Sequence, residues 1–200
     1  MIQITLMINF YSLLTKEEKQ LITVSEYSKG QILFHEDELC QLIGIVVKGS
    51  VSISSYTLMG NEIVYNSIQE GSIFGHNLVF SNHPYYRGNV IANQNVAVAL
   101  IKKDDFLNVL KTNTLFLNEY LKSQSSFSME LNSKLKLLSL QSAEERLFYY
   151  LQLHNNEIAY NSVTSLAKEL FLTRETLSRL ITKLVKQKKV KKIENTITLS

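Results

Sequence analysis

Near the end of the chain stands Thr164-Ser-Leu-Ala-Lys-Glu-Leu-Phe-Leu-Thr-Arg-Glu-Thr-Leu-Ser-Arg-Leu-Ile-Thr-Lys-Leu184, which has the pattern of two short helices joined by a tight corner. Apolar residues recur in each helix at the i, i+3, i+4, i+7 spacing of one buried stripe. They are Leu166, Ala167 and Leu170 in the first helix and Leu177, Leu180, Ile181 and Leu184 in the second. Thr173 stands where the N-cap of the second helix belongs. The stretch therefore predicts a helix-turn-helix.

The first two turns of the second helix are predicted to expose side chains that suit base recognition. Arginine pairs bidentately with guanine, and a carboxylate accepts a hydrogen bond from cytosine. A helix with such groups at its N-terminal end is typical of proteins that enter the major groove. The alternative is a solvated face on which Arg174 contacts Ser178, or Glu175 contacts Arg179, at i, i+4. The candidate DNA-binding residues are Thr173, Arg174, Glu175, Ser178, Arg179 and Lys183.

A basic segment and two strand-like runs follow this helix. Lys186-Gln-Lys-Lys-Val-Lys-Lys192 leads into Ile193-Glu-Asn-Thr-Ile-Thr-Leu199, two short strands around a Glu-Asn turn. Residues 142–200 carry ten basic and six acidic residues, a net charge of +4, whereas the rest carries eleven and twelve, a net charge of −1. Basic modules suit phosphate contacts, although lysine-rich surfaces also serve solubility. The pattern predicts a winged helix-turn-helix over residues 139–200.

Length and composition limit the other possibilities. Two hundred residues with 45% hydrophobic content suit one large or two small domains. No apolar run approaches the roughly 20 residues of a membrane span, and the segment Met1–Phe10 lacks the basic region and cleavage site of a signal peptide. The single cysteine, Cys40, excludes an internal disulfide framework and a four-cysteine zinc or iron–sulfur site. We expect a cytoplasmic protein without membrane association, cofactor or metal.

The first part of the chain consists of short β-rich runs punctuated by glycines. A helix with the capping box Thr15-Lys-Glu-Glu18 precedes them, and Asp104 and Asp105 open a short helix after them. Turn signals at this spacing predict an antiparallel sandwich or barrel within residues 1–113. The predicted strands are Ile43–Val47, Val51–Ser55, Ile63–Ile68 and Val96–Ile101.

Residues 114–138 contain no glycine or proline and predict one long helix. Seven of its positions alternate in steps of four and three, which is a heptad seam with two polar residues in its middle, long enough for a dimeric coiled coil. The alternative is an ordinary helix that faces the core. We favour a dimer because paired DNA-binding helices gain affinity and register. The seam consists of Leu117, Leu121, Gln124, Ser128, Leu131, Leu135 and Leu138.

Four motifs resemble those of the Crp/Fnr regulators, the family of the bacterial cyclic-AMP receptor protein. They are Lys29-Gly-Gln-Ile-Leu-Phe34, Val47-Lys-Gly-Ser-Val-Ser-Ile53, Gly71-Ser-Ile-Phe-Gly75 and Thr173-Arg-Glu-Thr-Leu-Ser-Arg179. The resemblance covers nearly the whole chain. It implies an α+β fold: an N-terminal antiparallel β-roll of the cyclic-nucleotide-binding type (a double-stranded β-helix or jelly-roll), a long dimerisation helix and a C-terminal winged helix-turn-helix.

The resemblance also implies a function. It implies a homodimeric transcription regulator that binds palindromic double-stranded DNA and has RNA polymerase as a partner. Arg174, Glu175 and Arg179 would be the base-contacting residues. Because Ser178 also matches a serine of the oxygen-sensing branch, the implied half-site is related to TGTGA or TTGAT.

The ligand-binding positions depart from the family pattern. In the cyclic-nucleotide binders a glutamate after Phe-Gly holds the ribose, and an Arg-Ser pair holds the phosphate. Here His76 takes the glutamate position, and Tyr86 and Arg87 align with the pair. A shift of one residue restores an arginine through Arg87 but leaves Gly88 in place of the serine. We expect no cyclic-AMP binding. The candidate pocket for another effector consists of Gly71, Phe74, Gly75, His76, Arg87, Leu131 and Asn132.

Several residues allow two interpretations. His76 could bind haem or another ligand, or could be a polar residue facing a loop or water. Cys40 follows Glu36-Asp-Glu38, whose charges tend to raise the pKa of a thiol, so an inert side chain is favoured over a redox switch. The run His35–Glu38 is predicted to be a polar turn and not a metal cluster.

Three functional classes follow from the sequence. The first is a DNA-binding regulator controlled by an unidentified effector other than cyclic AMP. The second is a regulator in which the roll is only a scaffold and DNA binding is constitutive. The third is an enzyme, which is disfavoured because no Ser-His-Asp order, phosphate-binding glycine loop or paired-carboxylate motif occurs at useful spacing. No catalytic residue is assigned.

Overall fold

The computed structural model describes residues 8–200. The first seven residues of the segment Met1–Phe10, for which a signal peptide was rejected, lie outside the described residues. The chain divides into two compact units, one ending at Ser123 and the other comprising Gln124–Ser200. Among the described residues no helix is both long and apolar enough to cross a membrane. The predicted α+β fold, with an antiparallel roll and a long helix, is confirmed, and the C-terminal helices and hairpin are consistent with the predicted winged helix-turn-helix.

Most elements of the first unit are short antiparallel strands. In chain order the helices and strands of this unit include α1 (Lys16–Lys19), β1 (Thr23–Tyr27), β2 (Ile32–Phe34), β3 (Leu42–Lys48), β4 (Ser50–Tyr56), β5 (Glu62–Gln69), β6 (Ile73–Phe74), α2 (His76–Val79), β7 (Asn89–Ala92), β8 (Val96–Lys102) and α3 (Lys103–Thr112). All four predicted strands are present with slightly wider bounds. The capping box at Thr15 and Glu18 forms as predicted, but the helix that it begins is only one turn long.

Two four-stranded antiparallel sheets enclose the core of this unit. One has the order β1-β8-β3-β6 and the other β2-β7-β4-β5. Side chains from both sheets share one buried cluster, which includes Ile43, Ile45, Val51, Val90 and Val98. Because successive strand residues point to opposite faces, each sheet turns one face inward to this cluster. This architecture is the predicted β-roll.

The long helix α4 (Thr114–Ser139) begins on the roll. The Asn113 side chain caps it, since its Oδ1 accepts from the backbone N–H of Phe116 at 2.9 Å. The Asn113 amide nitrogen also donates to Glu18 Oε2 at 2.9 Å, which ties the helix start to the N-terminal turn. The Phe116 ring is fully buried and lies 5.3 Å from the ring of Phe10 and 5.8 Å from that of Phe106.

The second unit continues with three helices and a small sheet. They are α5 (Ala143–Leu153), β9 (Glu157–Ala159), α6 (Val163–Glu169), α7 (Arg174–Lys186), β10 (Val190–Ile193) and β11 (Thr196–Leu199). The capping box of Ser142 and Glu145 begins α5, as the sequence predicts. Strands β10 and β11 form the predicted hairpin around Glu194 and Asn195. The sequence analysis did not anticipate β9, which pairs with β11 to make a third strand.

The corner between α6 and α7 places Phe171 in an unfavourable backbone conformation. Its φ angle is +53°, in the left-handed region where a Cβ atom crowds the following carbonyl. Glycine, which has no Cβ atom, adopts positive φ angles without this cost. The corner therefore has a left-handed backbone at an aromatic residue, and the Cβ atom of Phe171 bears the steric cost.

We predict that glycine is better tolerated than alanine at position 171. Phe171→Gly and Phe171→Ala both remove the ring and differ only in the Cβ atom. Because φ is positive, the Gly variant should have the higher free energy of unfolding, by about 1 kcal/mol. Urea unfolding of the two variants measures the difference. Equal stability, or a more stable Ala variant, would show that the corner relaxes out of the left-handed region.

Candidate nucleic-acid interface

Helix α7 exposes one polar face because its other face is buried. Leu177, Leu180, Ile181 and Leu184 are all buried in the core of the second unit. The helical period places Arg174, Glu175, Ser178 and Arg179 away from this stripe, and all four are exposed. The Thr173 side chain caps the helix by accepting from the backbone N–H of Thr176 at 3.1 Å. The predicted N-cap is confirmed.

The exposed polar groups of α7 are available to a ligand. Within residues 8–200 the four ion pairs of the structure include none with Arg174, Glu175 or Arg179. The alternative Glu175–Arg179 contact is therefore not formed. A shallow groove runs beside this face and is lined by Ser178, Arg179, Thr182, Lys183, Lys186 and Gln187. Two guanidinium groups and one carboxylate thus lie on the exposed face of the N-terminal half of α7.

Lysines border this groove on the wing side. Lys186 lies in the last turn of α7, and Lys191 and Lys192 lie on β10. Lys188 adopts a left-handed conformation, with φ +57°, where the chain turns from α7 toward the wing. The basic segment that the sequence identified therefore runs from the end of α7 into the first strand of the hairpin. Ammonium groups of this kind suit a phosphate backbone.

Two of the basic residues have an acidic partner that sequence analysis missed. The Glu144 carboxylate accepts from Lys189 Nζ at 2.6 Å through Oε1 and from Lys183 Nζ at 3.2 Å through Oε2. The hydrogen bonds from Lys189 and Lys183 lower the pKa of Glu144, so this carboxylate stays ionised at neutral pH. The partners are 45 and 39 residues apart in the chain. No local pattern marks such a contact.

Arg146 is a second residue that sequence analysis missed. Its guanidinium donates to the carbonyl oxygens of Leu140 at 3.1 Å and Phe171 at 3.0 Å, with a longer contact to that of Leu138 at 3.4 Å. Arginine suits this task because it offers five donors in a fixed planar fork. The side chain ties the end of α4 to the corner that precedes α7. The presence of an arginine in the sequence does not by itself indicate which carbonyl groups it contacts.

The proposed dimer seam of α4 is largely uncovered in the single chain. Leu121, Leu131, Leu135 and Leu138 expose 53, 44, 63 and 46% of their surface. Leu117 and Gln124 are half-buried, and Ser128 is exposed. Each compact unit buries one further residue of α4, Phe116 in the first and Leu137 in the second, and neither belongs to the seam. The seam therefore differs from the core-facing positions of the same helix.

The candidate effector residues of the roll form one tight segment. Gly71 and Gly75 have φ angles of +86° and +80°. A Cβ atom on Gly75 would lie 2.9 Å from the carbonyl oxygen of Leu42, so the segment passes close against β3. Phe74 is buried against the backbone of Gly44. His76 begins α2, where its ring meets the Tyr120 ring edge-on at 5.7 Å.

The other candidate effector residues lie elsewhere. Arg87 is exposed and follows the buried Tyr86. Leu131 and Asn132 are exposed residues of α4 in the second unit.

Tyr86, one of the two residues aligned with the Arg-Ser pair in the sequence analysis, is buried inside the roll. Its ring stacks on that of Phe34, with centroids 4.8 Å apart. Burial raises the pKa of the Tyr86 hydroxyl, and burial also raises the pKa of the nearby Cys40 thiol. Both groups are therefore neutral at physiological pH. The roll interior at Tyr86 is therefore a neutral aromatic pair with Phe34.

The acidic run before Cys40 forms the predicted polar turn. Asp37 has a φ of +61°, and Glu38 Oε2 accepts from the backbone N–H of His35 at 2.9 Å. The buried Cys40 sulfur contacts the carbonyl oxygens of Leu42 and Gly75 at 3.5 and 3.6 Å. Within residues 8–200 no group of three or more His, Cys, Asp or Glu side chains is placed to hold a metal.

Comparison with known proteins connects this geometry to a family. Residues 24–113 match the family model of the cyclic nucleotide-binding domain. No curated protein matches the chain significantly.

Three solved structures share most of this fold. The catabolite activator protein of Thermus thermophilus aligns with a TM-score of 0.55 and 20% identity, over 96% of this chain and 93% of that one. A transcriptional regulator of Thermotoga maritima gives 0.58 and 25%, over 63% of this chain and 98% of that one. A mutant of CooA from Carboxydothermus hydrogenoformans gives 0.64 and 18%, over 96% and 91%. Residues 24–113 are therefore similar to the cyclic nucleotide-binding domain, and the chain has the fold of solved regulators such as the catabolite activator protein.

Proposed function

We propose that the protein is a homodimeric transcription regulator that binds palindromic DNA. The observation that carries the proposal is the exposed N-terminal half of α7, where Arg174, Glu175 and Arg179 form no ion pair with any of residues 8–200. Two of the similar structures, a catabolite activator protein and a transcriptional regulator, support the same class of function. The helix would enter the major groove, as recognition helices do.

The exposed residues divide into two roles. Arg174 and Arg179 would donate to guanine, and Glu175 would accept from cytosine. Thr173, Ser178 and Lys183 complete the proposed interface, with Lys183 at a phosphate. Lys186 and the Lys188–Lys192 segment would neutralise further phosphates. The two roles differ in their effect on specificity, because phosphate contacts fix position while base contacts carry sequence information.

Pairing along α4 would bring two such helices to one DNA site. The uncovered leucines of the seam supply apolar surface that a second copy would bury. Half-sites are then expected about one helical turn, roughly 34 Å, apart. Residues 1–113 would form the sensor roll, 114–138 the dimerisation helix and 139–200 the DNA-binding domain. We place the protein in the cytoplasm, with RNA polymerase as a further partner and no catalytic activity.

Control by cyclic AMP is not part of the proposal. In the ungapped alignment a buried neutral ring, Tyr86, stands in place of the arginine, and the shifted alignment still lacks the serine. A cyclic phosphate without a cation would pay an uncompensated desolvation cost. Two modes of control fit these residues. One is an unidentified effector near Gly71–His76 and Arg87, and the other is DNA binding without any effector.

Selection of bound sequences from random duplex DNA, with no ligand added, tests the proposed function. We expect a palindrome whose half-sites lie one helical turn apart and resemble TGTGA or TTGAT. Recovery without a ligand would favour the constitutive mode. Recovery only after cell extract is added would favour an effector. If neither condition enriches a sequence, the DNA-binding proposal is wrong.

We predict that Arg179→Ala weakens binding to the selected site by roughly 1–3 kcal/mol and changes binding to random duplex DNA little. The reason is that a base contact is lost while the phosphate contacts remain. Lys186→Ala is the matched control, because loss of a phosphate contact should weaken both DNAs about equally. Fluorescence anisotropy with the two duplexes measures both effects. An equal loss on both duplexes for Arg179→Ala would remove the base-contacting role.

We also predict that Leu135→Glu separates the dimer. Leu135 lies on the seam and is 63% exposed in the single chain, so a partner would have to bury the new carboxylate. Sedimentation velocity should show a monomer at concentrations where the parent protein is a dimer. Met129→Glu is the control, since Met129 is an exposed residue of the same helix outside the seam. Dissociation by both variants, or by neither, would contradict the proposed interface.

A further inference from the structure

Glu144 joins three parts of the second unit through its two oxygens. The residue lies in the first turn of α5. Lys183 lies near the end of α7, and Lys189 lies between α7 and β10. The Glu144 carboxylate contacts the ammonium groups of Lys189 and Lys183 at 2.6 and 3.2 Å. One acidic side chain therefore holds two of the basic residues that border the candidate interface.

These contacts contribute little to the stability of the fold. The Lys183 and Lys189 side chains remain 57 and 49% exposed while they are paired. Ion pairs between exposed side chains typically add little free energy, because water screens them and holding two long side chains costs entropy. The second unit also has a continuous apolar core that does not involve any of the three residues. Their main effect is on the charge at the surface.

The same two ammonium groups are ligands for phosphate. A phosphate oxygen and a carboxylate oxygen compete for the same N–H donors of a lysine. A phosphate that approaches Lys183 or Lys189 must displace Glu144 or remain close to its negative charge. Either process reduces the gain from the contact. Lys186, at the end of α7 between the two, forms none of the ion pairs within the described residues.

We propose that Glu144 limits the affinity of this protein for the DNA backbone by neutralising Lys183 and Lys189. The inference rests on the proposed DNA-binding function and adds an intramolecular competitor to it. Because phosphate contacts carry no sequence information, Glu144 lowers the affinity for the cognate site and for random DNA by a similar factor. The carboxylate thus restrains nonspecific binding and leaves the base contacts of Arg174 and Arg179 unchanged.

Replacement of Glu144 by Gln tests the inference directly. The variant keeps the size of the side chain and releases both lysines from a negative charge. We expect tighter binding to cognate and random duplexes at low salt. Each phosphate contact adds about 0.9 to the slope of log affinity against log salt. Two regained contacts should therefore make the affinity of the variant change roughly tenfold more than that of the parent between 50 and 200 mM salt.

Two controls separate the local effect from a general change of charge. Glu157→Gln removes the same charge from an exposed residue of β9 that forms none of the ion pairs in the described part. Its effect on DNA affinity should be much smaller. A triple variant, with Glu144→Gln, Lys183→Gln and Lys189→Gln, should lose the gain in salt dependence. Urea unfolding of each variant shows that the fold is retained.

The outcomes distinguish this inference from the proposed function. If the parent protein binds random duplex DNA and Glu144→Gln binds no tighter, the competition by Glu144 is absent and the inference is wrong. An equal gain in Glu157→Gln would also overturn it, because general charge would then explain the result. If neither the parent nor the variants bind duplex DNA in a salt-dependent way, the proposed function itself fails.

Discussion

The buried leucine stripe of α7 is the constraint on which the candidate interface depends. Leu177, Ile181 and Leu184 pack in one core with residues of α5 and of the wing, including Leu147, Val190 and Ile197. Because these side chains face inward, the helical period places the polar positions on the outward face. The exposed arginines are therefore placed by the packing of residues that never touch a ligand. The same core fixes the wing beside the helix within this unit.

Arg146 connects this core arrangement to the end of the long helix. The Leu138 carbonyl lies in the last turn of α4, where helical carbonyl groups lack intrahelical partners. Arg146 donates to the carbonyls of Leu140 and Phe171 and approaches that of Leu138, so one guanidinium serves a helix end and the helix-turn-helix corner together. The left-handed backbone of Phe171 is part of this corner. The carbonyl oxygen of this strained residue is thus one of the acceptors that Arg146 contacts.

Sequence patterns predicted the elements whose causes are local. The stripe of α7, the cap at Thr173 and the capping box at Ser142 all depend on residues within a few positions of one another. Strand β9 escaped prediction because it has only three residues and is defined by its pairing with β11, as in Ile158 opposite Ile197. The Glu144 contacts escaped for the same reason, since spacing cannot show a partner about 40 residues away. The sequence predicts Lys183 as a DNA-binding residue but does not show that Glu144 already contacts it.

The roll combines a tightly packed glycine segment with a neutral aromatic interior. The Gly71–Gly75 segment has two left-handed glycines and packs so closely on β3 that a Cβ atom at Gly75 would collide with a carbonyl oxygen. Steric exclusion by β3 therefore favours glycine at this position. Binding a phosphate is more demanding, because a buried anion needs a cation or several donors. At Tyr86 the chain instead buries a neutral ring against Phe34. At position 86 the interior of the roll therefore offers a neutral ring and not a cation.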